Sequence, residues 1–279
     1  MLKKDNCLGL VVGSGKLPLM ILEYCEQNNI DVCCILLKGF AKKENFEGKN
    51  IVELPIGHIG SMFSFFKKNN VKEIVFAGGV KKPSLSFWNI DFTGFKLLRR
   101  ILKNKILGDN TILETIIKFC EENSFTVGNV NKYLDKGKFI EGFNSNTTFK
   151  DKNIYDDINL GVEFLRAMSQ FDIGQSVIVQ QKNIIGVECV EGTAELIKRC
   201  NNIKYRSGRG AILVKIKKIG QTEKIDLPSI GPDTVEQLHQ NGMIGIAFDY
   251  KNCIIIDKEK VIELANRYKI FLYGVRVNN

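Results

Sequence analysis

Short apolar segments alternate with amphipathic segments through the N-terminal half of the chain. Apolar, β-branched runs predict buried strands, and apolar residues that recur every three or four positions predict helices. Strands that alternate with helices are typical of a parallel sheet with both faces covered. We therefore predict an α/β fold with a Rossmann-like parallel sheet in an N-terminal domain, residues 1–135. The predicted strands are residues 7–12, 32–37, 51–54 and 74–77, and the predicted helices are residues 17–29, 58–68 and 109–122.

The hydrophobic periodicity fades between residues 131 and 157, where Lys, Asn, Asp and Gly dominate. We therefore place a linker at residues 136–157 and a smaller α/β domain with a mixed sheet at residues 158–279, which we expect to be catalytic. A hairpin around Lys182-Asn183 would supply antiparallel strands. The predicted strands are residues 173–180, 184–190, 211–214, 244–248, 254–256 and 270–275, and the predicted helices are residues 156–169, 193–200, 234–241 and 259–268.

The charge of the chain restricts its partners. The 279 residues include 40 Lys and Arg against 31 Asp and Glu, which gives a net charge of +9. This excess favours phosphate-bearing partners or an anionic membrane surface. No apolar run approaches the roughly 20 residues that a membrane-spanning helix needs. The two histidines, His58 and His239, are too few for a histidine-rich zinc site.

The eight cysteines are scattered along the chain and form no Cys-x-x-Cys pair. Several lie inside apolar runs, as small core residues do. With no signal sequence in view, this distribution predicts a cytoplasmic protein without disulfide bonds.

Two glycine-containing loops follow predicted strands. Gly13, Gly15 and Lys16 follow the first strand, and Gly79 follows the strand at residues 74–77. Ligands of parallel sheets bind beyond the carboxyl ends of the strands. The dinucleotide-binding fingerprint is incomplete, because Pro18 stands at its third glycine and no acid ends the second strand. The first loop is therefore either a phosphate-binding turn at a helix N-terminus or a tight structural turn.

Residues 81–95 mix basic side chains, including Lys81, with aromatic ones such as Trp88 and Phe92. The segment is either an apolar mouth or membrane-facing surface beside basic residues, or a loop folded onto its own core.

In the C-terminal half, Gly192 and Thr193 begin a predicted helix, and Glu188 and Glu191 stand close by in sequence. A helix N-terminus with a hydroxyl group and two acids can hold a phosphate and a divalent cation together. The alternative is a structural one, in which Thr193 caps the helix beside surface glutamates.

The connection after the strand at residues 211–214 contains lysines, acids, glycines and prolines. Within it, Asp226 stands between two apolar residues, and Pro228 restricts the backbone of Leu227. An acid held on a stiff backbone suits a catalytic base or a metal ligand. A turn acid that binds backbone amides is the alternative.

Seven segments of the chain carry a recognisable pattern, and the last of them begins Asp226-Leu227-Pro228-Ser229. In this order and spacing they resemble the LpxI type of UDP-2,3-diacylglucosamine pyrophosphatase, nearly end to end. The segments are residues 13–19, 77–85, 108–110, 172–179, 187–193, 213–215 and 226–235.

The resemblance implies a hydrolase of lipid A biosynthesis that cleaves UDP-2,3-diacylglucosamine to UMP and 2,3-diacylglucosamine 1-phosphate. It also implies Mg²⁺, attack of water on the β-phosphorus, and a lipid held between two domains. The protein would lie in the cytoplasm, in peripheral contact with the cytoplasmic face of the inner membrane. Whether it forms a homodimer is left open. We expect no nucleic-acid partner; the alternative is a non-catalytic nucleotide- or RNA-binding protein, whose binding would weaken steeply with salt.

On this resemblance, the functional aspartate of the family corresponds to Asp226. We expect Asp226 and Lys215 to act in catalysis and Asp226 and Glu188 to bind Mg²⁺. The other candidates would bind the substrate, and they are Gly13, Gly15, Lys16, Gly79, Lys81, Glu191, Gly192, Thr193 and Gln221.

Four positions depart from the family pattern. Lys16 and Lys82 stand where arginine is expected, and a lysine lacks the bidentate grip of a guanidinium on phosphate. Thr222 stands where family members often carry aspartate, with Glu223 one residue later, and Ala194 replaces another frequent aspartate.

Overall fold

The computed structural model describes residues 7–80, 89–103, 109–134, 139–149, 151–171, 173–218, 224 and 227–277. These residues form two compact α/β units, each with its own hydrophobic core. The first unit contains the described residues up to Leu134 together with Lys224, and the second contains the others. Within the described ranges, no helix has both the length and the apolar character needed to cross a membrane.

Parallel strands and covering helices make up the first unit, as the alternating pattern predicts. Its strands are β1 (Cys7–Val12), β2 (Asp31–Leu37), β3 (Asn50–Leu54), β4 (Glu73–Ala77) and β5 (Thr126–Val127), and its helices are α1 (Leu17–Gln27), α2 (Ile59–Lys68), α3 (Phe92–Lys103) and α4 (Asp109–Glu122). The spatial order is β3-β2-β1-β4-β5, and all neighbours are parallel. The predicted Rossmann-like sheet is confirmed.

Aromatic side chains of α2 fill much of the core on one face of this sheet. Met62, Phe63 and Phe66 are buried, as the helical spacing of apolar residues predicts. The rings of Phe63 and Phe66 lie 5.0 and 6.2 Å from the ring of Phe125, measured between centroids. These are favourable distances for aromatic pairs, so α2 is fixed against the segment that leads into β5.

The strand order reverses between β1 and β4, because the chain runs outward from β1 to β3 and then returns to β4. Such a reversal brings two loops together at the carboxyl edge of the sheet, where ligands of open parallel sheets bind. The backbone N–H groups of Ser14 and Gly79 each donate to the carbonyl of the other at 2.9 Å. The two glycine-containing loops of the sequence are therefore joined directly.

Two physical requirements explain the glycines of these loops. Gly15 and Gly78 have φ values of +96° and +92°, a conformation that favours glycine. Gly13 is required for space, since an added Cβ would lie 2.6 Å from the carbonyl oxygen of Gly79.

One carboxylate holds the N-termini of α2 and α3. Asp91 Oδ1 accepts a hydrogen bond from the N–H of Gly94 at 2.8 Å, and Oδ2 accepts one from the N–H of Ser61 at 3.0 Å. Partial burial acts to raise the pKa of Asp91, but the amide donors outweigh it and place the pKa below its ordinary value. The charged carboxylate therefore caps both helices at once.

An open depression of about 680 Å³ lies at the amino ends of β1, β2 and β3, at the opposite edge of the sheet from the loop pair. Cys7 and Cys33 line it, with their sulfur atoms 3.1 Å apart.

All eight cysteines are free thiols. Burial raises the pKa of Cys34 and of Cys120 to about 12, which keeps both thiols protonated and unreactive.

The second unit is built on a mixed sheet, which confirms the prediction. Its strands are β6 (Gly142–Phe143), β7 (Ser176–Gln180), β8 (Asn183–Val187), β9 (Ile212–Lys215), β10 (Ser229–Ile230), β11 (Gly245–Asp249), β12 (Ile254–Ile255) and β13 (Phe271–Val275), and its helices are α5 (Asn153–Met168), α6 (Thr193–Cys200), α7 (Pro232–Gln240) and α8 (Lys258–Arg267). Six strands follow the order β6-β13-β11-β9-β7-β8, and β10 pairs with β12. The pairs among β13, β11 and β9 are parallel, and the other pairs of the six are antiparallel.

The segment predicted to be a linker, residues 136–157, lies in the second unit where it is described. Phe143 of β6 pairs with Tyr273 of β13, and α5 begins at Asn153. The rings of Phe143 and Phe149 lie 6.1 and 5.2 Å from that of Phe271. These partners are more than a hundred residues away in sequence, so the polar local composition conceals them.

The β7–β8 hairpin turns at Gln181 and Lys182, one residue earlier than predicted. Gln180 pairs with Asn183, and the two turn residues have φ values of +50° and +62°. A two-residue loop with both φ values positive is a type I′ turn, which normally selects Asn and Gly. Gln and Lys adopt this conformation only when their surroundings impose it.

Asp157 of α5 stabilises this turn with a fully buried carboxylate. It accepts hydrogen bonds from the N–H of Gln181 at 3.1 Å and of Lys182 at 2.6 Å. The guanidinium of Arg209 donates two more, at 2.8 and 3.2 Å. A buried charge with a charged partner and this many donors is satisfied, and it joins α5, the hairpin and the segment before β9.

We expect Asp157→Asn to lower the free energy of unfolding of the second unit by about 2–3 kcal/mol, because the amide leaves the Arg209 charge without its buried partner. Urea denaturation measures the loss, and hydrogen exchange at the amides of Gln181 and Lys182 localises it. Asp156→Asn is the matched control: Asp156 is exposed and pairs with Lys182 Nζ at 3.0 Å, so its loss should cost less than about 1 kcal/mol. Equal losses in both variants would contradict the role of Asp157.

We expect Gly13→Ala to destabilise the first unit by about 1–3 kcal/mol, because the new methyl group meets backbone atoms that cannot move independently. Gly79→Ala is the control from the same loop pair, since its Cβ would meet only the Ser14 hydroxyl, at 3.1 Å. Thermal unfolding of both variants measures the difference. A loss of stability for Gly79→Ala as large as that for Gly13→Ala would contradict the steric explanation.

Candidate functional site

Polar side chains of the second unit converge at one edge of its sheet. Ser176 begins β7 and is paired with Lys215, the last residue of β9. Because β7 and β9 are antiparallel, the start of one lies beside the end of the other. Glu188 follows the end of β8, which pairs with β7. The sheet topology therefore brings together three residues that are separated by up to 39 positions in sequence.

A chain of hydrogen bonds links Lys215, Thr193 and Glu188. Lys215 Nζ donates to Thr193 Oγ1 at 3.0 Å, and Thr193 Oγ1 donates to Glu188 Oε1 at 2.8 Å. Ser176 Oγ lies 3.4 Å from the same Thr193 oxygen. Since Thr193 has one hydroxyl proton, its bond to Glu188 makes it an acceptor from the other two groups. Lys215 is largely buried, at 9% exposure of the residue, and this chain provides a polar environment for its ammonium group.

Gly174 allows Glu188 to reach this position. An added Cβ on Gly174 would lie 2.4 Å from the Glu188 carbonyl oxygen and 2.6 Å from its Cβ. The backbone N–H of Gln175 then donates to Glu188 Oε2 at 3.0 Å. Both oxygens of the Glu188 carboxylate are thus oriented, one by a backbone amide and one by a hydroxyl group.

Helix α6 begins at this edge, as predicted, but Thr193 is not its N-cap. The cap position belongs to Gly192, whose φ of +83° favours glycine. No side chain among the described residues caps the helix, because the Thr193 hydroxyl is directed to Glu188. The first-turn amides of a helix form an anion-binding end when no side chain caps them.

Glu191 is held differently from Glu188. Its Oε1 accepts hydrogen bonds from Arg199 at 3.1 and 3.3 Å, and its Oε2 accepts one from the N–H of Cys189 at 3.1 Å. Hydrogen bonding to backbone N–H groups and to Arg199 lowers the pKa of Glu191. These contacts stabilise the turn before α6. The expected binding of substrate by Glu191 stays a prediction.

Two residues at this edge are missing from the sequence-based candidates. Ser176 lies in the Asp172–Val179 segment of the family pattern, but only strand pairing places it beside Thr193. Asp249 ends β11, where Phe248 pairs with Lys215, and its carboxylate accepts the N–H of Lys251 at 3.1 Å. The signal for Asp249 was an acid directly after an apolar strand, at a carboxyl end.

The buried thiol of Cys253 is influenced by two opposite charges, those of Lys215 and Asp249. Burial raises the pKa of the Cys253 thiol to about 12, the charge of Lys215 acts to lower it, and that of Asp249 acts to raise it. Opposite charges thus act on one buried group.

The first unit contributes its own candidates at the loop pair after β1 and β4. Gly13, Gly15 and Gly79 have the space and backbone roles described above, and Ser14 Oγ donates to the Gly79 carbonyl at 2.9 Å. Lys16 precedes α1, which has no side-chain cap among the described residues. The structure therefore brings these four predicted positions together, around a helix N-terminus.

Three predicted site residues lie outside the described residues: Lys81, Gln221 and Asp226. The same holds for Lys82 and Thr222, where the chain departs from the family pattern, and for Glu223, which follows Thr222. Between Gln221 and Asp226 only Lys224 is described, and its Nζ donates to Glu121 Oε1 of α4 at 2.7 Å. The assignments of the three residues stay predictions.

The carboxylate of Glu188 has the chemistry expected of a magnesium ligand. Each of its oxygens accepts one hydrogen bond and keeps further lone pairs. Mg²⁺ is commonly held by one or two carboxylates while it keeps several waters. In the described part of the chain, no group of three His, Cys, Asp or Glu side chains has the arrangement of a metal site, so Glu188 would need a partner carboxylate or waters.

Comparisons with known proteins cover nearly the whole chain. A family model described as the LpxI N-terminal domain matches residues 7–136, and one described as the LpxI C-terminal domain matches residues 141–273. The UDP-2,3-diacylglucosamine pyrophosphatase LpxI of Caulobacter vibrioides is 26% identical over 275 residues, which are 96% of this chain and 97% of the relative. The two matched regions follow each other as the two structural units do. The chain belongs to the LpxI family.

Proposed function

We propose that this protein hydrolyses the pyrophosphate of UDP-2,3-diacylglucosamine to UMP and 2,3-diacylglucosamine 1-phosphate. The observation that carries the proposal is the match along both halves to one family, with a pyrophosphatase of that specificity as a relative of nearly equal length. The net charge of +9 is in keeping with a doubly charged diphosphate substrate.

The hydrogen-bonded chain in the second unit supports this chemistry. Hydrolysis of a phosphoanhydride needs positioning and neutralisation of charge on the phosphate oxygens more than it needs covalent chemistry. Lys215 is a largely buried lysine, so the attraction of its ammonium group for a phosphate would be weakly screened. Thr193 and Glu188 hold that ammonium at a defined place, and the amides at the start of α6 would bind further phosphate oxygens.

Glu188 and Asp226 are the residues that we assign to Mg²⁺. When bound, the ion would neutralise charge on the phosphate oxygens and orient the substrate. Glu188 would contribute a carboxylate oxygen already oriented by Gln175 and Thr193. Asp226 would either share this role or accept a proton from the attacking water.

In the proposed reaction, the oxygen of a water molecule forms a bond to the β-phosphorus, and the bond from that phosphorus to the bridging oxygen breaks. UMP leaves with the bridging oxygen, and the water loses one proton to a base, for which we propose Asp226. Lys215 would stabilise the charge that develops on the phosphate oxygens.

The remaining predicted residues fall into two groups by unit. In the second unit, Gly192, Thr193 and Glu191 would shape the phosphate-binding end of α6. In the first, the loop pair with Lys16 would bind anionic or polar groups of the substrate. Lys81 and Gln221 complete the proposed set of substrate-binding residues.

A diacylated substrate would also determine where in the cell the protein acts. We propose that the protein acts in the cytoplasm and makes peripheral contact with the cytoplasmic face of the inner membrane, because its substrate would be anchored there by two acyl chains. A homodimer is compatible with this arrangement.

Asp226→Ala should lower the turnover number by more than about a hundredfold and leave the KM for substrate near its wild-type value, because a base or metal ligand acts on the reacting water. The measurement is release of UMP from UDP-2,3-diacylglucosamine in detergent with Mg²⁺. The control is Asp233→Ala, which removes an exposed acid near the start of α7 and should turn over like the wild type.

Two results would count against these assignments. Near-normal turnover of Asp226→Ala would remove Asp226 from catalysis while leaving the reaction in place. Absence of UMP release from the wild-type protein, with binding of the nucleotide retained, would favour a non-catalytic nucleotide-binding protein.

Thr193→Val should lower the turnover number by about tenfold to a hundredfold, because it removes the oxygen that orients both Lys215 and Glu188. Thr193→Ser keeps that oxygen and should remain close to wild type. Steady-state kinetics of UMP release, with thermal unfolding as the check on folding, measures the difference. Equal activity of the valine and serine variants would show that the hydrogen-bonded chain has no part in turnover.

A further inference from the structure

The exposed apolar side chains of the first unit are concentrated on one helix. Among its described residues, four large hydrophobic side chains are exposed, and three of them belong to α3. Phe92 is 73% exposed, Phe95 is 56% and Leu102 is 64%. Scattered single apolar residues are normal on a surface, but a group on one element indicates an interaction site.

These three residues lie on one side of α3, opposite to the side that packs on the unit. At 100° per residue, Phe95 and Leu102 lie within about 20° of each other around the axis, and Phe92 lies within about 60° of Phe95. Gly94 and Leu97 are the buried residues of the helix and point the other way. The helix is anchored to the unit by its inner side, by the Asp91 carboxylate at its start and by contact with α4.

Cations flank the apolar side chains. Lys96, Arg99 and Lys103 are exposed, and the helix sequence from Phe92 to Lys103 contains no acid. Lys96 Nζ lies 4.5 Å from the centroid of the Phe92 ring. Arg100 differs, because it pairs with Glu122 and stacks on Phe119. Three basic side chains therefore border the apolar residues without an ion pair to any described carboxylate.

We propose that this surface of α3, made of Phe92, Phe95, Leu102, Lys96, Arg99 and Lys103, docks onto the surface of a bilayer that contains anionic phospholipid. Aromatic and leucine side chains on one side with lysine and arginine beside them are the composition of helices that lie in the membrane interface. The apolar side chains enter the boundary between headgroups and acyl chains, and the long basic side chains reach back to the phosphates.

Charge decides between this partner and a purely apolar one. An acyl chain or a second copy of an apolar surface would leave the three cations without counter-charges, whereas an anionic bilayer supplies one for each. The orientation also follows, because α3 would lie parallel to the membrane plane. The proposed function gives this contact its purpose, since a diacylated substrate is held in a bilayer, but the surface itself is argued without that function.

The test is co-sedimentation of the full chain with vesicles, in the absence of substrate. Vesicles of phosphatidylcholine alone are compared with vesicles that contain about one third phosphatidylglycerol, at low and at physiological ionic strength. We expect the wild type to bind the anionic vesicles and to bind them less well as salt rises. Failure of the wild type to bind them would overturn the proposal.

Two variants and a matched control locate the surface. Phe92→Ser with Phe95→Ser should weaken binding about tenfold or more, and Lys96→Gln with Arg99→Gln and Lys103→Gln should abolish the preference for anionic vesicles. Ile140→Ser with Phe171→Ser removes two side chains of similar exposure, 63% and 62%, from the second unit, and should bind like the wild type. All substituted residues are exposed, so unfolding temperatures should be unchanged.

Hydrolysis of detergent-dispersed substrate separates this proposal from the proposed function. Loss of vesicle binding with retained hydrolysis supports the docking surface. Retained vesicle binding with lost hydrolysis in the Phe92 and Phe95 variant would assign these rings to the acyl chains and overturn it. A dimer of the wild type that this variant dissociates, with vesicle binding unchanged, would assign the surface to a second copy and also overturn it.

Discussion

The buried carboxylate of Asp157 is the constraint from which the second unit takes its shape. It holds a hairpin turn that Gln181 and Lys182 would not otherwise adopt, and it binds Arg209 shortly before β9. In a two-residue hairpin, the turn sets the register of both strands. Ser176 and Glu188 lie at the far end of those strands, beyond a one-residue register shift between Ile178 and Val179. Their positions beside Thr193 therefore depend on the turn that Asp157 holds and on that shift together.

Both units form their candidate sites by the same rule, although their sheets differ. Parallel strands deliver their following loops to a common edge. In the first unit, the reversal between β1 and β4 joins two glycine-containing loops. In the second, the neighbours β11 and β9 end at the same edge, and β9 ends beside the start of the antiparallel β7, which adds a hydroxyl group to a lysine and a carboxylate. The polar residues are local in space and remote in sequence, which is why each appears weak alone.

The sequence predicts most of the fold because the central strands are continuous apolar runs, and the predicted ends of β1 to β4 lie within one residue of those observed. It misses the two-residue strands β5, β6 and β10, since pairing with distant strands forms them and no local pattern marks them. It places the hairpin turn one residue late, because Asn183 is the better turn former locally and the decisive partner, Asp157, is 24 residues away. For the site, resemblance selects Thr193, Lys215 and Glu188 singly, but only the strand pairing shows that one hydroxyl group connects them. Asp226 lies outside the described residues, so its assignment stays a prediction.

The shared cap at Asp91 has a mechanical consequence. A single carboxylate serves the first turns of α2 and α3, so the two helices cannot separate without taking this acceptor away from the N–H of Ser61. Helix α2 carries Phe63 and Phe66 into the core, and α3 carries an exposed apolar surface. A force applied to that outer surface would therefore be transmitted to α2, and so to the hydrophobic interior, in part through the hydrogen bond between Asp91 and Ser61.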